Sequence, residues 1–257
     1  MLRCLVTGAT GGGIGEATAH DLARRGLQVC VHGRHADRVH AVLDALPRAQ
    51  GQEHAALVLD LSGAAAILPA VAELQTRWGG VDVLVSNAAP SLPAAPLHEL
   101  DESQWRIELQ EILEVPLRLA KAVLPGMMAR GLGRLVFLSS SAAQRGSLGR
   151  SAAYAAAKAG LLGLARQIAL EYAAHGVTAN AIAPSQVDTP RVRAGGRRTS
   201  ESLAEFGRRA VPLGRVGDVR DVVQAVSFLI DCEYITGQLL VVDGGSSLAS
   251  PWTRSLP

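Results

Sequence analysis

Short apolar runs alternate with longer stretches of helical period along almost the whole chain. The runs Cys4–Thr7, Val29–His32, Ala56–Leu59, Val81–Ser86, Arg134–Ser139, Thr178–Ile182 and Gln238–Val242 predict seven strands. Between them, apolar residues recurring at helical spacing predict helices near Glu16–Arg25, Ala36–Leu46, Ala64–Trp78, Gln104–Ala129, Tyr154–His175 and Arg220–Leu229. Alternation of β and α at this spacing predicts an α/β fold, a doubly wound parallel sheet with helices on both faces. Parallel neighbours need a crossover, and the crossover helix covers the sheet. Ligands of such sheets bind beyond the carboxyl ends of the strands. No linker, repeat or low-complexity block interrupts the series, which predicts one domain over residues 1–245 and a C-terminal tail, 246–257. The least regular stretch, Asp188–Arg215, carries Arg191, Arg193, Arg197, Arg198, Arg208, Arg209 and Arg215. Its length and low apolar content predict mobility until a ligand binds.

Charge narrows the function classes. The chain has 257 residues, 25 Lys+Arg and 23 Asp+Glu, for a formal charge of +2. A balance this near zero argues against a dedicated nucleic-acid binder, which needs a concentrated basic face. Cys4, Cys30 and Cys232 lie in apolar stretches without paired spacing, so they are read as buried free thiols in a reducing compartment. No run of 18 apolar residues offers a membrane span, and a strand begins too close to Met1 for a signal peptide. A soluble, cytoplasmic protein is expected.

The cations are lopsided: 23 are Arg, and only Lys121 and Lys158 are Lys. Tyrosine is nearly as scarce, at Tyr154, Tyr172 and Tyr234. Compositional bias explains most of this, yet it makes Tyr154-Ala155-Ala156-Ala157-Lys158 informative. Residues four apart share a helix face, so a phenol and an ammonium lie side by side. A phenol with a pKa of about 10 is a poor acid–base catalyst at neutral pH, and a nearby cation favours its anion. Earlier in the chain, Thr7-Gly8-Ala9-Thr10-Gly11-Gly12-Gly13-Ile14-Gly15 follows the first strand and opens a helix. Glycines permit a tight turn and close backbone approach, and a helix N-terminus presents free N–H groups to a pyrophosphate.

Together these segments resemble the single-domain short-chain dehydrogenase/reductase family, from Leu2 to about Gly245. Asp60-Leu61, Ser86-Asn87-Ala88-Ala89, Asn180…Pro184-Ser185…Thr189, Gly214-Arg215-Val216-Gly217 and Ile235-Thr236-Gly237…Asp243-Gly244-Gly245 extend the likeness. The resemblance implies a Rossmann-like catalytic domain, with the stretch near 188–215 as substrate lid and a homotetramer or homodimer as the assembly. It implies cofactor contacts from Gly8, Gly13, Ile14 and Gly15 in the loop, Asp60 and Leu61 at the adenine, and Asn87. Pro184, Val187 and Thr189 lie in the segment that holds the nicotinamide carboxamide, and Tyr154 and Lys158 complete the set. In the family the Tyr passes a proton to or from the substrate oxygen, the Lys lowers the Tyr pKa and holds the nicotinamide ribose, and a Ser steadies the substrate oxygen. Strand register selects Ser140 for that role, whereas the family's commoner spacing to the Tyr selects Ser141; register is the stiffer constraint and favours Ser140.

Four departures from the family pattern matter. Four residues, not three, separate Gly8 from Gly13, and Gly11 and Gly12 are expected to absorb the insertion as a small bulge. After the second strand, the position of the usual ribose-binding carboxylate holds Gly33, followed by Arg34, which predicts NADP(H) over NAD(H). Ser185 replaces a usual Gly. The family's helix Asn falls on Ile112; Pro116, four residues on, lacks the N–H that would bond the Ile112 carbonyl, which predicts a kink that keeps a water relay through backbone.

The leading reading is an NADPH-dependent reductase of a ketone to a secondary alcohol. Its rivals are an alcohol dehydrogenase running in the oxidising direction and a catalytically impaired nucleotide-binding member of the fold. The substrate is expected to be a small carbonyl or alcohol, anionic or carrier-bound if the lid arginines recruit it, though a solvated arginine face is the plainer reading of that stretch.

Overall fold

The computed structural model describes residues 1–49, 51–147, 149–194 and 199–249. Seven strands form one sheet: β1 Arg3–Val6, β2 Gln28–Gly33, β3 Ala55–Val58, β4 Val83–Ser86, β5 Gly133–Leu138, β6 Val177–Pro184 and β7 Leu239–Val242. They are all parallel and run in the order β3-β2-β1-β4-β5-β6-β7. The strands are apolar on both faces, and their side chains alternate between two cores. Cys4 and Val6 of β1 enter one core and Leu5 the other; in β5, Val136 and Leu138 enter the first, Leu135 and Phe137 the second.

The first core is closed by α1 Ile14–Arg24, α2 Ala36–Ala45 and α10 Val219–Asp231. The second is closed by α3 Ala64–Trp78, α5 Val115–Arg130 and α7 Ala152–Tyr172, with α4 Glu102–Leu109 packed on α7. Three further helices lie above the carboxyl edge of the sheet: α6 Ala142–Arg145, α8 Pro190–Ala194 and α9 Ser200–Ala210. The stretch expected to be irregular therefore contains two helices, while Gly195, Gly196, Arg197 and Arg198 lie outside the described residues. The predicted tail beyond Ala249 does so too.

The single helix expected over Gln104–Ala129 is broken. A π turn, Gln110–Glu114, joins α4 to α5, and the Val115 N–H donates back to the Gln110 carbonyl, one residue beyond helical register. Pro116, the second residue of α5, lacks an N–H and follows directly on the π turn, where the helical register has already shifted. The turn packs on α7 at Gly160: a Cβ there would sit 2.9 Å from Leu113 Cδ2. Cys4 and Cys30 are buried free thiols as expected, whereas Cys232, capping the end of α10, is only half-buried.

Candidate active site

Strand order reverses between β1 and β4, so the loops after these strands diverge and leave a crevice over their carboxyl ends. Its floor is cross-braced. The Thr7 hydroxyl accepts from the N–H groups of Asn87, at 3.0 Å, and Ala88, at 3.2 Å. The Asn87 amide donates to the Thr7 and Gly8 carbonyls at 3.1 and 3.0 Å. Gly15, at the start of α1, is pressed so close that a Cβ would lie 2.4 Å from the Gly8 oxygen and 2.5 Å from Asn87 Nδ2. Only glycine fits. Gly11 and Gly12 take up the extra loop residue with φ of +88° and +71°, and Gly13, at φ −99°, is the N-cap of α1. Ile14 is the first helical residue. The Gly12 N–H already holds an anion, the Glu16 carboxylate, at 2.6 Å.

One residue beneath this loop, His32, was not singled out in the sequence. His32 Nδ1 accepts from the Gly8 N–H at 3.1 Å, and Nε2 faces the Leu59 carbonyl at 3.0 Å. Nδ1 is therefore the bare nitrogen and Nε2 the donor, a neutral tautomer. Burial, opposed by the Leu59 contact, pushes the His32 pKa down to about 4. Gly33 follows, and a Cβ there would meet Val39 Cγ2 at 2.9 Å and Thr10 Cγ2 at 3.0 Å. A carboxylate-bearing side chain is thus excluded at this position by packing. Arg34 is exposed, and among the described residues its guanidinium has neither an ion pair nor a hydrogen bond. Asp60 accepts from Ser62 N–H at 3.0 Å, which holds its carboxyl below the usual range, and Leu61 beside it is buried. The glycine cradle and the open helix end fit a dinucleotide pyrophosphate, with the Arg34 guanidinium beside the end of β2.

The second half of the site stands at the ends of β5 and β6. Ser139, Ser140 and Ser141 point into different surroundings. Ser139 is buried and its hydroxyl donates to the Lys158 carbonyl at 2.8 Å. Ser141 is buried, and its N–H is tied to the Pro184 carbonyl at 2.9 Å. Ser140 is the half-open one, its oxygen accepting, among the described residues, only from the Ala142 N–H at 3.2 Å. Across from them, α7 begins at Ser151, whose oxygen accepts from the Tyr154 N–H at 3.0 Å and whose hydroxyl donates to the buried carboxylate of Glu108. Tyr154 is half-buried. Lys158 is buried one turn later, donates to the Leu138 carbonyl and holds its ammonium 5.7 Å from the Tyr154 ring centroid. Burial, reinforced by Arg191 and then Arg150, pulls its pKa down to about 7.

Val187 is buried and bridges to Gly217, fixing the base of the lid. Thr189 is buried, and its hydroxyl oxygen accepts from Val192 N–H at 3.2 Å in the first turn of α8. Ser185 accepts from the Ser246 hydroxyl at 3.0 Å, and the Ser246 carbonyl accepts from Arg145 at 2.6 Å, so the segment after β7 is tied to α6. Of the lid arginines, Arg193, Arg208, Arg209 and Arg215 pair with nearby Asp188, Glu205, Glu205 and Asp221, which is the plainer, solvated role. Arg197 and Arg198 lie outside the described residues. Arg191 is different: though exposed, it reaches across to the loop after β4, donating to the Ala89 carbonyl at 2.9 Å.

The family model described as enoyl-(acyl carrier protein) reductase matches residues 8–247. The chain is 36% identical over 244 residues to a 3-oxoacyl-[acyl-carrier-protein] reductase of Vibrio cholerae, covering 94% of this chain and 95% of that protein. It is 38% identical to a cis-4-hydroxycyclohexanecarboxylate dehydrogenase of Sinomonas cyclohexanicum, with 94% of each covered. Among solved structures, a putative NAD(P)-dependent gluconate 5-dehydrogenase from Beutenbergia cavernae with bound NADP superposes with a TM-score of 0.86. That pair shares 36% identity over 96% of this chain and 97% of the other.

Proposed function

The chain belongs to the short-chain dehydrogenase/reductase family, a group of NAD(P)-dependent carbonyl/alcohol oxidoreductases, and we propose that it reduces a ketone with NADPH, using Tyr154 as general acid. The observation that supports this reading is that Lys158 donates to the Leu138 carbonyl at the end of β5, two residues before Ser140, and holds its ammonium 5.7 Å from the Tyr154 ring centroid. Bound nicotinamide supplies the hydride; the chain's own residues do the rest. Gly8, Gly13, Ile14, Gly15, Asp60, Leu61 and Asn87 would shape the cofactor cleft, and Pro184, Val187 and Thr189 its far wall. Ser140 would donate a hydrogen bond to the carbonyl oxygen while Tyr154 delivers the proton. Lys158, held by Leu138 and Ser139, would stabilise the phenolate through its protonated form, which a pKa of about 7 leaves only partly populated at neutral pH. The π turn at Ile112, packed on α7, is the site for the proposed backbone water relay to Lys158.

The first test is nucleotide titration, then turnover of a ketone panel. Tyr154→Phe should lose at least a hundredfold in kcat, and Ser140→Ala should lose far more than Ser141→Ala, in line with the ~10²-fold that one oxygen-stabilising donor contributes. Equal losses at the two serines would remove Ser140 from the role. Preference for NADP(H) rests on Arg34 and on the closed space at Gly33. Arg34→Ala should weaken NADPH by roughly ten- to a hundredfold and leave NADH nearly unchanged, since a charged hydrogen bond contributes about 1.5–3 kcal/mol. Equal affinities in the unmodified protein would overturn the preference. We further propose a homo-oligomer, since Trp105, Ile107 and Leu117 leave apolar surface on α4 and α5; sedimentation velocity reads it directly.

A further inference from the structure

Two guanidiniums at the mouth of the site have no ion-pair partner among the described residues. Arg150, in the loop before α7, lies over the Tyr154 ring with Cζ 4.8 Å from the centroid. Among the described residues it has no carboxylate within ion-pair distance. Arg191 comes from the opposite wall. Pro190, beside it, packs on the glycine loop, where a Cβ on Gly12 would meet Pro190 Cγ at 3.0 Å, and the Arg191 side chain reaches the Ala89 carbonyl. It too has no carboxylate within ion-pair distance among the described residues, unlike its neighbour Arg193.

We propose that Arg150 and Arg191 form a carboxylate clamp beside Tyr154, so that the substrate is a carbonyl compound bearing a carboxylate, reduced to the corresponding hydroxy acid. This rests on the reductase reading above and names the substrate class of the same site.

Electrostatics supports the clamp. Arg150 and Lys158 flank one phenol, 4.8 and 5.7 Å from its ring centroid, and Arg191 interacts electrostatically with the same phenol. Arg150 and Arg191 both oppose the Lys158 charge, and Arg150 adds to the burial that lowers the pKa of Arg191. The acid facing this group is Glu111, on the π turn, whose own pKa is raised by burial against the pull of Arg34 and Arg191. One carboxylate half-shared between two arginines leaves the cluster short of negative charge, which an anionic ligand would bring. A planar guanidinium pair suits a carboxylate because each offers a two-pronged donor face. The ligand would draw Arg191 from Ala89, exchanging a neutral acceptor for a charged one. Cofactor phosphates do not answer for Arg150, which lies on the phenol side and not at the glycine loop.

The experiment pairs three keto acids of increasing span, acetoacetate, levulinate and 4-oxocyclohexanecarboxylate, with their methyl esters. At least one acid should exceed its ester in kcat/KM by thirtyfold or more. Arg150→Ala and Arg191→Ala should each cut that acid-to-ester ratio at least tenfold, whereas Arg193→Ala, locally paired, should leave it intact. A wild-type enzyme that prefers every ester overturns the clamp. So does an equal fall for acid and ester together with weaker NADPH binding, which would assign the guanidiniums to the cofactor. Calorimetric binding of the acids, with and without NADP⁺, separates the two readings. Acid binding that needs both arginines in a protein without turnover keeps the clamp and ends the reductase assignment; ester turnover without any acid binding does the reverse.

Discussion

At the residue scale, the glycine loop is held by an imidazole that must stay neutral. His32 accepts the Gly8 N–H, and protonation would replace that acceptor by a second donor facing a donor. Its folded pKa, about 4, lies below the ordinary 6.5. Its contribution is therefore present in full above pH 6.5 and lost as the pH falls towards 4. The span corresponds to about 3 kcal/mol of unfolding free energy. His32→Asn keeps an acceptor near the Nδ1 position but does not titrate, so urea unfolding at pH 7 and pH 4 should show a smaller loss in this variant than in the wild type. Parallel losses would mean that other groups carry the acid sensitivity. His32 and Arg191 could not be picked out from the chain, because their roles depend on partners 24 and 102 residues away. Tyr154 and Lys158 could, because four residues on one helix already set their pairing. The same logic explains the lid: its arginines look alike in sequence, and only the fold separates four locally paired ones from Arg191.

At the scale of elements, all seven strands were legible to within about two residues, since buried parallel strands read as continuous apolar runs. The helix over Gln104–Ala129 was legible as helical but not as broken. Pro116 announces a disturbance, yet periodicity cannot show that it is resolved as a π turn two residues earlier. Nor does it show what the break achieves. Below the turn, Glu108 of α4 reaches the Ser151 hydroxyl, whose oxygen caps the Tyr154 N–H. A carboxylate thus lies at the N-terminal end of α7, where the helix dipole favours it, and sets the first turn that carries the phenol. Glu108→Ala should lower kcat at least tenfold through misplacement of Tyr154, while KM moves less than threefold; a shift of 1 Å near the chemistry can cost up to ~10²-fold. Glu108→Gln keeps an acceptor and should recover most of the loss. A Glu108→Ala enzyme that is less stable but fully active would reduce the residue to a helix cap.

The whole molecule divides its work between the two ends of the sheet. The carboxyl end carries the glycine loop, the serines, α7 and the lid, with several polar groups kept open for ligands. The amino end is closed by charge. Asp82, just before β4 and only 2% exposed, accepts from Arg3 Nε and Nη2 at 2.7 and 2.8 Å and from Arg130 Nε at 3.1 Å. Arg3 enters β1 and Arg130 ends α5, so one carboxylate ties two central strands to a covering helix. Its pKa is lowered despite burial, because the Arg3 bonds and both guanidinium charges outweigh desolvation. Removing the carboxylate leaves two guanidiniums facing each other without a counter-ion, and a broken buried pair of this kind costs about 3 kcal/mol or more. Asp82→Ala should therefore lower Tm and the urea midpoint markedly. At a temperature where both proteins are folded, its kcat/KM and NADPH affinity should stay within twofold, because no residue of the candidate site touches this end. If activity falls with stability at that temperature, the two ends are mechanically coupled through β1 and β4. The catalytic crevice would then depend on sheet geometry as a whole, and not on the loops alone.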